Sequence, residues 1–270
     1  MNRVLDKLAR NELVLCMGLR QARTADIPMI AAQAGFDSIY VDMEHSPVSL
    51  ETVSTLCAGA LGAGITPIVR PPGHGADWIS RVLDGGSQGL LVPHVSSAKE
   101  ARAIVEAARF PPLGHRSVMG ATPALGYRAL PLGEINQTLN RETVVIVMIE
   151  TPQGVEGADE IAAVEGVDML MIGSNDLCTE LGIPGELRHP KLRAAYETVA
   201  KACKGHGKSL GVGGIRGDAQ LQGQLIGLGA RFIIAGNDVA YLAGAARKDV
   251  EALRALDVVP AKAAPPLKGK

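Results

Sequence analysis

Short runs of Val, Ile and Leu recur along the chain, and most are followed by a loop and then an Ala-rich segment with helical periodicity. Continuous apolar strands that alternate with amphipathic helices are typical of a parallel sheet covered by helices. The runs predict eight strands: 13–19, 38–43, 66–70, 89–95, a fifth at either 116–119 or 143–150, 168–172, 209–212 and 231–235.

Eight such strands in 270 residues predict an α/β fold, a closed (β/α)₈ TIM barrel. We predict a single barrel domain over residues 1–258 and a flexible C-terminal tail over 259–270, because the last residues lack any periodicity. An open doubly wound sheet is the alternative, although the segment after the first strand, MGLRQAR, lacks the expected G-x-G-x-x-G pattern. The irregular segment 110–141 leaves one helix without a clear position.

Composition excludes several classes of partner. The 27 basic and 28 acidic side chains nearly cancel, and no basic run combines with aromatic residues, so we expect no nucleic-acid partner. No segment approaches the roughly 20 apolar residues of a membrane span, so we expect no membrane partner. The cysteines form no C-x-x-C pair, which favours the reducing cytoplasm; they are Cys16, Cys57, Cys178 and Cys203. Small molecules and copies of the same chain remain as partners.

Polar side chains follow most of the predicted strands, at the end where barrel enzymes place their active sites. Glu150 and Asp176 end adjacent strands, so two hard oxygen ligands could reach one divalent cation, Mg²⁺ or Mn²⁺. The alternative is that both carboxylates only stabilise the N-termini of the following helices. The other polar residues at strand ends are Asp42, Glu44, His45, Arg70, His94, Ser174, Asn175, Asn237 and Asp238.

The motif YVDMEHSP contains a candidate acid/base group. His45 could act as a general base, because an imidazole has an unperturbed pKa near neutrality. Asp42 or Asp84 could orient its ring. The alternative is an ordinary surface turn with a helix cap at Ser46.

Other strand ends offer groups that could hold an anion. Arg70 closes an apolar run before two prolines, and this position favours a contact with a carboxylate or enolate oxygen. His94 in LLVPHV lies in a similar position, where it could instead satisfy a backbone group. In IGSNDL, small residues begin a predicted helix, and their backbone N–H groups could bind a substrate carboxylate; the residues are Gly173, Ser174, Asn175 and Asp176.

Together these segments resemble the HpcH/HpaI class II pyruvate aldolases over about residues 13–245. The resemblance is carried, in order, by FDSIYVDMEHSP, VRPP, LDGGSQGLLVPHV, GHRSV, IETPQGVEGADEIAAVEGVDMLMIGSNDL and GVGG. It implies a phosphoenolpyruvate/pyruvate-binding type of barrel, assembled as a homohexameric trimer of dimers that exchanges its last helix between partners. It also implies an enzyme that uses Mg²⁺, Mn²⁺ or Co²⁺ to cleave 4-hydroxy-2-oxo acids into pyruvate and an aldehyde, and to run the reverse addition, through a pyruvate enolate.

The resemblance assigns roles to single residues. Glu150 and Asp176 match the metal ligands, and Arg70 matches the residue that contacts the keto or enolate oxygen. The backbone of 173–176 would receive the pyruvate carboxylate. The resemblance pairs His45 with Asp84 as an acid/base dyad, and it gives Arg116, like Asp42, a supporting role.

The chain departs from the family pattern at several positions. Met148 stands where the heptanedioate aldolases carry a glutamine, and Ser174 and Asn175 replace a more common Pro-Ala pair. His94 replaces an apolar residue, as in macrophomate synthase, and we expect it to contact the substrate. An oxaloacetate decarboxylase, a macrophomate synthase-like enzyme or a citryl-type lyase with the same enolate site therefore stays an alternative. A non-enzymatic binding protein is a further one.

Overall fold

Eight parallel strands pair in chain order and close into a barrel in the computed structural model of this chain. The structure describes residues 2–256. The strands are β1 Val14–Leu19, β2 Ser38–Asp42, β3 Thr66–Arg70, β4 Gly89–Val92, β5 Val144–Ile149, β6 Met169–Gly173, β7 Ser209–Gly213 and β8 Ala230–Asn237. The predicted (β/α)₈ barrel is confirmed, and the open doubly wound sheet is wrong.

Helices connect the strands, and most of them cover the outer face of the barrel. They are α1 Arg3–Ala9, α2 Asp26–Gln33, α3 Leu50–Gly62, α4 Ala76–Asp84, α5 Ala98–Ala108, α6 Leu132–Glu142, α7 Pro152–Glu156, α8 Ala158–Ala162, α9 Ser174–Glu180, α10 Pro190–Gly205, α11 Ala219–Leu228 and α12 Asp238–Arg254. Serine caps begin two of them: Ser49 accepts a hydrogen bond from the Thr52 N–H, and Ser97 accepts one from the Glu100 N–H. The predicted tail 259–270 and the domain boundary at 258 lie outside the described residues.

The segment between α5 and β5 is the irregular part of the barrel. It contains one turn of 3₁₀ helix, Pro123–Leu125, and then α6. The segment packs on a small apolar cluster of its own, formed by Phe110, Leu125, Ile135 and Leu139. Because β4 pairs directly with β5, residues 116–119 have no strand to join. The fifth strand is therefore the one predicted at 143–150, and the strand predicted at 116–119 is wrong.

Alternate residues of each strand face the inside of the barrel. On β5, Val144, Ile146 and Met148 belong to the interior cluster, whereas Val145 and Val147 pack outward against the helices. The next inward position after Met148 falls just beyond the strand, at residue 150. The same spacing governs every strand, so it decides which residues at the strand ends point into the mouth of the barrel.

Helix α1 closes the opposite end, where the strands begin. Val4 is fully buried and belongs to the interior cluster, and its N–H lies 3.2 Å from Thr66 Oγ1. The Asn2 side chain donates to the carbonyls of Gln88 and Glu142, at 2.9 and 2.7 Å. The barrel interior is therefore sealed on this side by a packed helix with satisfied polar groups.

Candidate active site

Polar side chains converge at the end of the barrel where the strands finish. Asp42 follows Tyr40, Arg70 follows Ile68, and residue 150 follows Met148 at the inward spacing of two, and these three core residues all belong to the interior cluster. A cavity of about 350 Å³ opens above them. Its lining includes Arg20, His45, Arg70, Glu150, Gly173, Ser174, Asn175, Asp176, Arg216 and Asn237. Most of the residues predicted from the strand ends therefore share one cavity.

Asp42 accepts hydrogen bonds from two arginines at this end of the barrel. It is fully buried, and its two oxygens accept a forked pair of hydrogen bonds from Arg70, Nε to Oδ1 at 3.0 Å and Nη2 to Oδ2 at 2.6 Å. Arg20 Nε also donates to Oδ2, at 3.0 Å. Burial alone would raise the pKa of Asp42, but the hydrogen bonds and charge of Arg70, together with the His45 N–H and the charge of Arg20, outweigh it and the pKa is lowered. Asp42 therefore holds Arg70 in one orientation, as the predicted supporting residue would.

Arg70 keeps its positive charge in this setting. Burial lowers the pKa of Arg70, whereas the hydrogen bonds and charge of Asp42 raise it, and the net direction is upward. Its guanidinium carbon stands 5.7 Å from the centroid of the Tyr40 ring, and Nη1 lies 2.8 Å from Glu44 Oε2. The side chain is thus a fixed cation at the floor of the cavity, fitted to an anionic oxygen.

Glu44 connects the two histidines of the site to Arg70. His94 Nε2 lies 3.0 Å from Glu44 Oε1, and His45 Nε2 lies 3.6 Å from Glu44 Oε2. His94 adopts a left-handed backbone with φ of 54°, which is uncommon for a residue with a side chain. In this conformation the His94 N–H donates to Glu150 Oε2 at 2.9 Å.

Glu150 is a buried carboxylate with little compensation for its charge. It is 1% exposed, and the His94 Nδ1 atom lies 3.4 Å from its Oε2. A Cβ on Gly173 would stand 2.7 Å from Glu150 Cγ and 2.8 Å from Cδ, so only glycine leaves room for the carboxylate. The pKa of Glu150 is raised to about 7, mainly by burial; His94 opposes this rise, and the charges of Asp176 and Glu44 add to it.

Asp176 supplies the second carboxylate, from the first turn of α9. Neither Asp176 nor Glu150 forms an ion pair with Lys or Arg within residues 2–256. The same residues contain no group of three or more His, Cys, Asp or Glu that could hold a metal ion. Two adjacent carboxylates that lack a cation, one of them buried, fit a divalent ion that takes its other ligands from water and substrate. The residues present therefore fit the predicted ion.

The turn from β6 into α9 is fixed by a buried network. Ser174 Oγ lies 2.7 Å from Tyr196 Oη and donates to the Gly213 carbonyl at 2.8 Å. The serine hydroxyl is thus engaged within the protein, and the predicted contact with the substrate carboxylate falls to the backbone N–H groups of the turn. That role of residues 173–176 stays a prediction.

Asp84 and Arg116 lie elsewhere. Helix α4 starts after β3 and ends at Asp84 just before β4, so Asp84 belongs to the end of the barrel where the strands begin. There it accepts a hydrogen bond from Arg116 Nη2 at 2.7 Å, and Arg116 stacks 4.9 Å from the Phe110 ring centroid. Burial lowers the pKa of Arg116, although Asp84 partly opposes this. Within one chain Asp84 and His45 therefore lie at opposite ends of the barrel, and Glu44 is the carboxylate beside His45; the pairing of His45 with Asp84 that the resemblance implies stays a prediction.

Two site residues had no predicted role. Glu44 is adjacent to His45 in the motif DMEHSP, and its spacing from Asp42 was the available signal. Arg216 follows β7 in GVGGIRG. The glycines there predict a tight turn, but nothing in the motif predicts that the arginine side chain lines the cavity. Asp238 is a third polar residue with a defined task, since its carboxylate accepts the backbone N–H groups of Arg20, Gln21 and Ala22.

The chain is similar to known aldolases along nearly its whole length. The family model described as HpcH/HpaI aldolase/citrate lyase matches residues 19–245. A 4-hydroxy-4-methyl-2-oxoglutarate aldolase of Chaetomium globosum is 40% identical over 259 residues, 95% of this chain and 96% of the relative. A 4-hydroxy-2-oxo-heptane-1,7-dioate aldolase of Escherichia coli is 36% identical over 240 residues, 89% of each chain.

A solved structure supports the same assignment. The crystal structure of an HpcH/HpaI aldolase from Desulfitobacterium hafniense superposes with a TM-score of 0.90 at 32% identity, over 97% of this chain and 99% of the other. The barrel, the position of the polar strand ends and the length of the match agree with one another. The chain therefore belongs to the HpcH/HpaI aldolase/citrate lyase family and is an aldolase, a carbon–carbon lyase.

Proposed function

We propose that this aldolase depends on a divalent metal and cleaves 4-hydroxy-2-oxo acids to pyruvate and an aldehyde, and that it also catalyses the reverse addition. The observation that carries the proposal is the pair Glu150 and Asp176 at the mouth of the barrel. The buried member has a pKa raised to about 7 and no Lys or Arg partner among the described residues. Two carboxylates of this kind raise the free energy of the folded protein when no cation is near, and a bound cation lowers it.

Glu150 and Asp176 would hold the ion, with Mg²⁺, Mn²⁺ or Co²⁺ as candidates. Oxygen ligands alone favour the hard cations over structural zinc, which prefers Cys and His. When bound, the ion supplies Lewis-acid stabilisation of negative charge on the keto acid. Burial is the main cause of the raised Glu150 pKa, and the repulsion from Asp176, which adds to the rise, would then be relieved.

Arg70 would bind the 2-keto oxygen and stabilise the negative charge that develops there when the C3–C4 bond breaks. Asp42 and the Tyr40 ring hold the guanidinium in place before substrate arrives. A donor that is already oriented needs no reorganisation during the reaction, and this preorganisation is the main source of electrostatic catalysis. Arg70 is thus proposed as a catalytic residue.

His45 would remove the proton of the 4-hydroxyl group during cleavage, and the enolate would then take a proton at C3, from the imidazolium or from water, to give pyruvate; addition reverses both proton transfers. Its side chain is half exposed and lines the cavity, so it can reach a bound substrate. Glu44, 3.6 Å from His45 Nε2, would stabilise the imidazolium that forms. No lysine lines the cavity among the described residues, so the proposal involves no Schiff base.

The names of both aldolase relatives support the choice of substrate class. One acts by name on 4-hydroxy-4-methyl-2-oxoglutarate and the other on 4-hydroxy-2-oxo-heptane-1,7-dioate. Both compounds carry the 4-hydroxy-2-oxo acid group, and this shared group supports aldol cleavage over oxaloacetate decarboxylation as the main reaction.

A homo-oligomer, with a trimer of dimers as the specific arrangement, is part of the proposal. None of the residues of α12 is buried, and Leu242, Val250 and Leu253 are 73%, 47% and 67% exposed. These side chains recur at a helical spacing on one face, and an apolar stripe of this kind marks an interaction surface. Equilibrium sedimentation should give a multiple of the 28.1 kDa chain, and a monomer would contradict this part.

The proposed location is the cytoplasm. All four cysteines are buried and unpaired, which agrees with the expected lack of a disulfide framework. Within residues 2–256, no helix combines the length and apolar character that crossing a membrane requires.

Chelation tests the metal-dependent aldolase directly. Protein treated with EDTA should neither exchange the C3 protons of pyruvate nor cleave a 4-hydroxy-2-oxo acid, and added Mg²⁺, Mn²⁺ or Co²⁺ should restore both reactions. Glu150→Gln and Asp176→Asn should abolish the restoration. Glu160→Gln makes the same charge change at an exposed position on α8 and serves as the matched control. Full turnover by the metal-free protein would contradict the proposal.

A further inference from the structure

Tyr40 reaches from β2 across to the neighbouring strand β1, at the level where the barrel strands finish. Its Cα is in register with Gly18, and a Cβ on Gly18 would stand 2.7 Å from Tyr40 Cε1 and 3.1 Å from Tyr40 Oη. Only glycine therefore leaves room for the end of the ring over this part of β1. Gly18 is in turn in register with Asn237, the last residue of β8, so the hydroxyl group lies beside the strand ends that form the mouth.

The Tyr40 hydroxyl opens into the cavity and has no partner in the protein. Tyr40 is only 5% exposed, and it lines the cavity. Its hydroxyl forms no hydrogen bond with residues 2–256, and it is not among the polar atoms there that are both enclosed and unpartnered. The small exposed part of this side chain therefore includes the hydroxyl. Because a buried tyrosine hydroxyl usually has a hydrogen-bond partner, this one is available to a ligand in the cavity.

The surroundings of Tyr40 keep this hydroxyl protonated. Burial raises the pKa of Tyr40, and the charge of Arg70 only partly opposes the rise. A protonated phenol donates a hydrogen bond. The apolar side chains that line the same cavity offer it no strong acceptor; they are Leu91, Met148, Met171 and Ile234. The hydroxyl is therefore a fixed donor that waits for an acceptor from outside the protein.

The hydroxyl lies across the mouth from the proposed metal ligands. In a closed barrel of eight strands β1 is opposite β5, and Glu150 directly follows β5. A keto acid whose 2-oxo acid end binds at Glu150 and Asp176 must place its remaining carbon atoms elsewhere in the cavity. His45, the proposed base for the 4-hydroxyl group, follows β2, and Tyr40 is part of that strand. The C4 end of the substrate and the Tyr40 hydroxyl therefore belong to the same side of the cavity.

We propose that the Tyr40 hydroxyl donates a hydrogen bond to the oxygen on C4 of the substrate, beside His45. The inference rests on the proposed function, because it assumes that the 2-oxo acid end binds at Glu150, Asp176 and Arg70. In cleavage, His45 accepts the proton of the 4-hydroxyl group, the electron pair of the C3–C4 bond passes to the enolate, and the 4-oxygen becomes the carbonyl oxygen of the aldehyde. Tyr40 keeps its own proton and stabilises the negative charge that gathers on the 4-oxygen. In the reverse addition, the same hydrogen bond polarises the carbonyl group of the aldehyde.

Tyr40→Phe tests the contact, because it removes the hydroxyl and keeps the ring that packs on Gly18 and Arg70. With Mg²⁺ present, kcat for the cleavage of 4-hydroxy-2-oxopentanoate and of 4-hydroxy-2-oxoglutarate should fall at least about tenfold, as expected for a lost donor to developing charge. KM should change less than kcat, since the hydrogen bond is strongest in the transition state. Pyruvate has no C4 atom, so its affinity and its C3 proton exchange should stay within about twofold.

Two controls separate the hydrogen bond from general damage. Tyr127→Phe removes the same hydroxyl group from a residue that is 66% exposed, and this variant should cleave both compounds normally. The affinity of Tyr40→Phe for Mn²⁺ and its midpoint of thermal unfolding should match those of the unmodified protein, because the hydroxyl has no partner to lose.

Nuclear magnetic resonance provides a measurement on the intact Tyr40 side chain. The chain has four tyrosines, so protein labelled with ¹³C at the tyrosine ζ position gives four signals, and replacing each of the other three by Phe assigns the one from Tyr40. In His45→Asn, which lacks the proposed base, 4-hydroxy-2-oxopentanoate should shift this signal more than 2-oxopentanoate does. The two ligands differ only in the oxygen on C4.

The possible failures differ from one another. Normal cleavage by Tyr40→Phe would refute the contact, and so would equal shifts of the Tyr40 signal with both ligands. An equal loss of cleavage and of pyruvate proton exchange would also refute it, since the hydroxyl would then act at the 2-oxo acid end or through Arg70. If pyruvate neither binds nor exchanges protons in the unmodified protein, the proposed function itself fails and the inference fails with it.

Discussion

Gly173→Ala should weaken metal binding because the added methyl group displaces the Glu150 carboxylate. Both proposed ligands, Glu150 and Asp176, are still present in this variant. The added Cβ would stand 2.7 Å from Glu150 Cγ and 2.8 Å from Cδ. Carbon atoms pack at about 3.5–4.0 Å, so the carboxylate must shift by about 0.8 Å. The backbone of Gly173, with φ of −86° and ψ of 91°, is open to alanine, so the steric contact is the main perturbation.

A shift of this size exceeds what a metal site tolerates, since ligand distances are normally kept within about 0.2 Å. We expect the dissociation constant for Mn²⁺ to rise at least about tenfold, which corresponds to about 1.4 kcal/mol. The metal-free protein should also lose about 1–3 kcal/mol of folding stability, the usual cost of overpacking. Electron paramagnetic resonance of free Mn²⁺ measures the first quantity, and urea denaturation measures the second.

Gly62→Ala is the matched control. Gly62 is the last residue of α3, and a Cβ there would meet no atom within 4 Å. This variant should bind Mn²⁺ normally and gain up to about 1 kcal/mol of stability. Unchanged Mn²⁺ affinity in Gly173→Ala, with the expected loss of stability, would show that the Glu150 carboxylate is displaced without consequence and is not a metal ligand.

Three further predictions concern pH, the buried ion pair and the turn into α9. Because burial raises the pKa of Glu150 from 4.5 to about 7, its protonation should stabilise the metal-free fold at low pH, and this contribution should disappear as pH rises from 4.5 to about 7. Glu150→Gln should flatten that part of the urea-derived stability profile, and an identical profile would contradict the assigned pKa. Asp42→Asn leaves Arg70 buried without its main counter-charge, so it should cost about 3–5 kcal/mol of stability and more than tenfold in kcat; normal turnover in this variant would remove Asp42 from the support of Arg70. Ser174→Ala should cost about 1–3 kcal/mol in urea denaturation, since Tyr196 Oη loses its buried partner, and Tyr196→Phe in the Ser174→Ala background should recover part of that loss.

The sequence was informative where one periodicity governs both the core and the site. Alternation on β5 places Val144, Ile146 and Met148 inside the barrel, and the same alternation points Glu150 into its mouth. The barrel and the shared cavity of Glu150, Arg70 and Asp176 could therefore be predicted from strand ends.

The sequence was less informative where a contact depends on the path of a loop or the direction of a helix. The resemblance implies a pairing of Asp84 with His45, and within one chain α4 ends at Asp84 on the side of the barrel away from His45, a placement that the strand-end pattern does not give. Arg216 had no predicted role. Its place in the cavity depends on a stacking contact with Tyr241, about 25 residues later in the chain, and no local sequence pattern predicts such a contact. Residues 116–119 look like a strand, yet β4 and β5 already pair with each other and leave no edge to join.

Helix α1 closes the barrel at the end where the strands begin. Among residues 2–256, Val4 is buried in the interior cluster and Asn2 donates to the carbonyls of Gln88 and Glu142, so ions and organic molecules enter the barrel from the end where the strands finish. The ligand that binds deepest in the barrel must therefore bind first and dissociate last. A bound keto acid would then block the exit of the ion. The order in which the ion and the keto acid bind would therefore depend on the closed end of the barrel as well as on their affinities.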